Sequence, residues 1–413
     1  MLFKSYGFVV GLLADRRVCR WNSSDTEIAP KIMNENPVVM LKVCPWSDIL
    51  VALTSDNHVV IGTLILDKLI DITDTIYESI NKDSDCVIDE IYVDRGYLLV
   101  RIENDILHAN ISRPHHPYSR PIFSLDSITV HKLQHSIDLV SFGFNHCIIR
   151  TSADPASGHQ ATLMSMGTNE YCKRGLSFDE GRNIGMQKIN ICYARHINQV
   201  VCNLDHTLLL MDDGSVLACG RFHGNQGEQY TGSPFTPVQF PKDTYITRII
   251  SNNLQTFYIT SEGLCYHTST NHVRMTPYNA SYCLHPTLVY TLRNYFVDNV
   301  FILGSSFIIQ DNAGKLYWLL FADSCFACSI QDVLQPLPFF DDKCITVVTS
   351  ITSTYTKYYF IAADGKVYCC NYHTTIESHV ESVSFFDDNP IAVESNAARI
   401  RSATNTVGPH QQN

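Results

Sequence analysis

Apolar positions along this chain come in short runs broken by turn residues. In "NQVVCNLDHTLLLMDDGSVLACG" (198–220), Val200–Cys202, His206–Met211 and Ser215–Cys219 form three runs. Asp212, Asp213 and Gly214 separate the last two. Asp-Gly between apolar runs is a hairpin signal, because a type I′ turn needs positive φ and glycine supplies it without strain. The stretch predicts three antiparallel strands with a tight turn at Asp213-Gly214.

The pattern recurs. "FYITSEGLCYH", "FIIQDNAGKLYWLL" and "YYFIAADGKVYCCN" place Gly263, Gly314 and Gly365 in the turn slot, at steps of 49, 51 and 51 residues from Gly214. Upstream, Asp15-Arg16, Asp56-Asn57 and Asn104-Asp105 fill the slot. One copy has a longer turn: His146 to Gly167 spans 21 residues, against 14 from His206 to Gly220. Short apolar runs precede the copies, among them 38–43, 89–93, 138–143, 247–251, 298–304 and 345–350. Eight hairpins with a period near 50 predict an all-β fold, a β-propeller whose blades stack because one blade cannot bury both faces alone. The repeat runs without a break, so residues 1–403 read as a single propeller domain and 404–413 as a polar, disordered tail.

Two segments depart from the rhythm. In 66–85, Leu66, Leu69, Ile70, Ile76 and Ile80 are spaced as on a helix, with an irregular outer strand the alternative. "SRPHHPYSRPIF" (112–123) carries three prolines and reads as a loop containing His115 and His116. The N-terminal apolar stretch resembles a signal peptide but occupies the first strand slot, and the strand reading is preferred.

Composition narrows the function classes. The net charge is −11 and Lys/Arg residues do not cluster, which disfavours direct nucleic-acid binding. No run approaches a membrane span of ~18 apolar residues, and the expectation is a cytoplasmic or nuclear protein. Fifteen cysteines, many at strand positions, read as small core residues rather than a disulfide framework. Cys325 and Cys328 form a lone C-x-x-C without a second pair at zinc spacing. Serine-hydrolase, zinc-protease and phosphate-loop motifs are all missing from the sequence, so neither an enzyme nor a metal or cofactor is expected.

The chain also lacks the Trp-Asp pair of WD repeats and the Gly-Gly doublet of kelch repeats. What recurs is a strand, His-[Thr/x]-x-x-Leu, and Asp-Gly-x-Val-x-x-x-Gly. Through His206, Thr207, Leu208, Asp213, Gly214, Val216 and Gly220 the sequence resembles the regulator of chromosome condensation repeat family. Gly143, His146, Gly167, Asn169 and Gly175 extend the resemblance to that family's Gly-x-Asn-x-x-Gly-Gln-x-Gly tail. The resemblance favours seven blades, with eight open, closed by strands from both termini; 391–403 is expected to complete the first unit. It implies structural roles for the motif residues, internal hydrogen bonds for His146 and His206 included.

For function, the resemblance implies a protein partner: either an interaction platform (adaptor or scaffold), or a guanine-nucleotide exchange factor for a small GTPase such as Ran. The long turn 151–160, with Asp154, Ser157 and His159, is the candidate element for either, and His115-His116 is a second partner-binding candidate.

Overall fold

The computed structural model describes residues 2–382 apart from 23–30, 44–48, 64–68, 113–123, 154–159, 178–184, 191–196, 221–234, 270–285, 321–332, 372–379 and scattered one- to three-residue positions. The described residues form eight four-stranded antiparallel sheets, each a meander of four strands consecutive in the chain. Eight hairpins were legible in the sequence, and each is the centre of one sheet. The resemblance had favoured seven blades; the sheets number eight among the described residues.

The chain divides into two compact units. One contains 1–136 and 343–395, with the first, second, third and eighth sheets; the other contains 137–342, with the fourth to seventh. Within the first unit, the opening strand Leu2–Ser5 lies beside Ile345–Thr352 of the last sheet. The first sheet thus has its own opening strand; 391–403 lies outside the described residues. Residues 8–12, the apolar stretch with signal-peptide character, form the second strand of that sheet.

Burial explains the sequence pattern. The second strands Ile49–Thr54, His206–Met211 and Gln255–Thr260 are buried along their whole length, because both faces meet neighbouring sheets. Side chains alternate across a strand. Leu209 and Met211 therefore join Ile148, Leu163 and Ile197 on one side, while Leu208 and Leu210 join Ile246, Ile249 and Tyr258 on the other. Each such side chain withdrawn from water contributes about 1.5–3 kcal/mol. Cys19, Cys147, Cys202, Cys219 and Cys265 are buried, as expected of core residues.

The turns differ in type from the expectation. Met211 N bonds Ser215 O at 2.9 Å and Gly214 N bonds Met211 O at 3.1 Å. Only Gly214 of the turn has positive φ (78°). This is a three-residue turn ending in one left-handed residue, not type I′, which would need positive φ at Asp213 too. Thr54–His58, Leu13–Arg17, Thr260–Leu264 and Asp311–Lys315 close in the same way, with Asn57, Arg16, Gly263 and Gly314 left-handed. In the third sheet the turn is one residue earlier than expected: Ile102 pairs with Asp105, and Glu103 is left-handed.

Two recurrent features were not foreseen. Every sheet has a fourth strand, as short as Ile70–Asp71, Thr236–Pro237 and Thr287–Leu288. In seven sheets the register slips by one residue near the start of the first strand, passing over Val39, Asp89, Asp138, Asn198, Thr247, Asp298 and Thr346. The 66–85 segment holds both alternatives: the strand Ile70–Asp71, then a helix, Thr73–Ile80, which buries Thr73, Ile76 and Tyr77 against the second and third sheets.

Candidate functional site

His146, Asn169, His206 and Thr207 of the second unit's motif are buried and tied into a hydrogen-bond network. His146 Nε2 lies 2.9 Å from Thr207 Oγ1, and that hydroxyl donates to Lys173 O at 2.7 Å. The Asn203 amide meets His206 Nε2 at 2.8 Å and Ser251 Oγ at 2.9 Å, tying the fifth sheet to the sixth. Asn169 accepts from Arg174 N and donates to Leu176 O and Ser177 O, which folds the loop after Leu163–Gly167. The fully buried Arg174 guanidinium donates to Gly167 O, Ser165 O, Gly185 O and Gln187 Oε1 at 2.8–3.1 Å. Gly143, Gly167 and Gly220 end strands where an added Cβ would overlap the His146 ring, Asn145 O and Asp205 O respectively.

Burial also removes these groups from chemistry. Desolvation pushes Cys202 up to about 11 and Cys147 further, so both stay thiols. It pulls buried His267 down to about 3, so the ring is neutral. Gln255 Oε1 can only accept, and it lies 2.5 Å from His267 Nε2, which therefore carries the proton. This network holds sheets together; its groups are not presented to a substrate.

The second unit presents a different set of groups where the hairpin turns meet the start of the following sheet. Gly214 O accepts from Ile246 N (3.1 Å), and Tyr245 O accepts from Ser261 N (3.0 Å) in the next turn. Gly263 O accepts from Val297 N (2.9 Å), and Phe296 O accepts from Asn312 N (3.0 Å). Tyr245 and Phe296 thus occupy successive seams on the turn face. A Cβ on Gly214 would lie 2.6 Å from the Tyr245 ring, and one on Gly263 2.5 Å from the Phe296 ring. Each aromatic packs on a turn that only glycine can form there, with φ of 78° and 74°. The Tyr245 hydroxyl donates to Asp212 O at 2.5 Å and locks its ring. Tyr245 and Phe296 nevertheless stay 42% and 45% exposed as residues.

Acids surround them. Asp212, Asp213 and Glu262 are exposed on the two turns. Asp213 also shapes its turn, accepting from Ser215 N and Oγ. Asp298 is the residue passed over in the register slip after Phe296, and it is exposed. The nearby Arg248 guanidinium donates to the Asp298 carbonyl at 2.8 Å. Exposed Lys242 and Asp243 offset each other. The arrangement can bind, through flat apolar surface and negative charge.

The candidates named from sequence fall elsewhere. Asp154, Ser157 and His159, like His115 and His116, lie outside the described residues, as do Cys325, Cys328 and Gly365. The long turn is anchored by Thr151 N to Thr162 O (2.9 Å), and it fills the connection that Asp212–Gly214 fills in the next sheet. Sequence reasoning missed Tyr245 and Phe296. Their signal is an aromatic residue immediately before the opening apolar run of a repeat, in "TYITRIIS" and "YFVDNVFILG".

Comparison with known proteins agrees with the repeat. The regulator of chromosome condensation (RCC1) repeat matches residues 197–227. No curated protein sequence matches the chain. Among solved structures, Prp20p from Saccharomyces cerevisiae aligns with a TM-score of 0.50 at 11% identity, over 84% of this chain and 90% of its own. Yeast RCC1 (Prp20) bound to Kap60 aligns at 0.49 and 10%, over 78% and 81%. Human WBSCR16 aligns at 0.48 and 15%, over 70% and 77%.

Proposed function

We propose that this propeller, built on repeats of the regulator of chromosome condensation kind, is a non-catalytic protein-interaction platform. The observation that carries the reading is the turn face of the second unit. It presents rigid, half-exposed aromatics at successive seams, while the polar repeat residues are spent on internal bonds. Exposed aromatic surface rimmed by polar groups is characteristic of binding sites. No helix among the described residues is long and apolar enough to cross a membrane, and the proposed place of action is the cytoplasm or nucleus.

A second reading, nucleotide exchange on a small GTPase, is favoured by one feature: the lengthened turn between Thr151 and Thr162, at the connection used by the other hairpin turns. The similar Prp20p is described with binding properties to Gsp1p and histones. An exchange factor must prefer the nucleotide-free state of its partner. Affinity capture of the full chain from its native cell, with and without EDTA, separates the readings. A partner captured equally in both samples is the expected result. A small GTPase captured only with EDTA would replace the platform reading with exchange.

A further inference from the structure

Tyr245 and Phe296 pair a half-exposed aromatic face with neighbouring carboxylates, one seam apart on one face of the second unit. A ring face attracts a cation through its quadrupole, and a carboxylate beside it adds direct attraction. The chain uses this chemistry itself: the Arg293 guanidinium lies 3.9 Å from the ring centroid of Tyr290, itself a residue 42% exposed. Among the described residues no cation stacks on Tyr245 or Phe296; Arg248 is directed to a backbone carbonyl. The rings are preorganised, Tyr245 by its hydroxyl bond to Asp212 O and both by packing on a glycine turn. Little side-chain freedom remains to be lost on binding.

From this charge complementarity we propose that the seams at Tyr245 and Phe296, flanked by Asp212, Asp213, Glu262 and Asp298, dock an extended, arginine- or lysine-bearing segment of a partner protein. One cationic side chain stacks on each ring, and the segment runs across the fifth, sixth and seventh sheets. This rests on the platform reading and names the chemistry of its partner.

The test uses the full chain and a fluorescein-labelled decapeptide of alternating arginine and glycine, read by anisotropy. The citrulline version has the same shape without the charge. The arginine peptide is expected to bind at least tenfold tighter than the citrulline peptide. Tyr245→Ser with Phe296→Ser, which leaves the net charge unchanged, is expected to weaken binding at least tenfold. Glu262→Lys with Asp298→Lys leaves both rings in place and keeps the test valid if the aromatic variant misfolds; it is expected to weaken binding at least as much. Glu78→Gln with Asp83→Asn, on the acidic helix region of the first unit, is expected to change nothing. Undiminished binding by the ring or Lys variants, or an equal loss in the Glu78/Asp83 variant, would overturn the proposal. No cell partner enters this assay. Failure to capture a partner would therefore count against the platform reading alone, and a captured partner that ignores the ring variant would count against this surface alone.

Discussion

Two seams of the first unit and two of the second are closed from opposite sides. In the first and second sheets the left-handed turn residue has a side chain that reaches forward. Arg16 (φ 64°) donates from Nε to Val38 O at 2.8 Å and from Nη2 to Val39 O at 3.1 Å. Asn57 (φ 67°) accepts from Ile88 N and donates to Cys86 O and the Tyr77 hydroxyl, all at 2.9 Å. In the fifth and sixth sheets the slot is glycine, and the next sheet reaches back with Tyr245 over Gly214 and Phe296 over Gly263. The same backbone turn thus has two chemistries. A polar side chain in the slot spends its groups on the seam. A glycine leaves room for an aromatic, and an aromatic that covers a turn keeps an outer surface available for a partner.

The comparison predicts unequal costs. Asn57→Ala removes three hydrogen bonds and leaves Ile88 N without its acceptor, so it should destabilise the first unit by about 3 kcal/mol in urea unfolding. If the cost is below about 1 kcal/mol, the side chain is not what closes that seam. Gly263→Ala combines a left-handed alanine with a Cβ 2.8 Å from Phe296 Cα, for a loss of about 2–3 kcal/mol. Gly314→Ala has φ 81° but nothing within 4 Å of the new Cβ, and should lose only about 1 kcal/mol. Equal losses at the two glycines would mean that backbone strain alone, not aromatic cover, explains the slot.

Acid should act on both units, on the first through His108, which desolvation lowers to about 4, and on the second through His267. His267 is neutral and buried, with its pKa lowered to about 3, whereas the unfolded ring titrates near 6.5. The unfolded chain therefore binds a proton that the folded chain does not, and stability falls as pH drops below about 6.5. The loss should reach about 2 kcal/mol by pH 5. His267→Gln should flatten that slope in unfolding curves taken between pH 7 and 5. The first unit offers an exposed counterpart, His58 Nδ1 to Asp71 Oδ2 at 2.6 Å. Its histidine is raised, first by the hydrogen bond to Asp71. Asp71 is lowered, by bonds from Thr73 and His58 that outweigh the effect of burial. The pair thus stabilises between the unfolded carboxylate and histidine ranges. That contribution fades as pH rises through the His58 value or falls through that of Asp71. With both groups about half exposed, it should stay under about 0.5 kcal/mol. The smallest effect is expected from Arg16→Gly. It relieves the left-handed strain but loses two bonds at an exposed site, for a net change within about 0.5 kcal/mol.

The hairpins were legible because each depends on local signals: an apolar run, a residue tolerant of positive φ such as Asn57 or Gly214, and a second run. The short fourth strands were not, because two residues such as Thr236–Pro237 carry no periodicity and pair only once the sheet exists. The register slips at Val39 and Asp298 were equally hidden, since an extra residue leaves the apolar pattern nearly unchanged. The turn type was misread because Asp-Gly suits both a two-residue turn and a three-residue turn with glycine last. The candidate surface escaped notice for a further reason. Tyr245 and Phe296 gain meaning only beside Gly214 and Gly263, and that proximity is set by the stacking of sheets rather than by neighbours in sequence.

The most direct measurement is amide hydrogen exchange on the full chain, with and without saturating arginine–glycine decapeptide. The account predicts added protection at 212–215, 244–248, 261–264 and 296–298, with none at 15–18, 55–58 or 85–89. Protection spread equally over the seams of both units, or found only away from Tyr245 and Phe296, would contradict it.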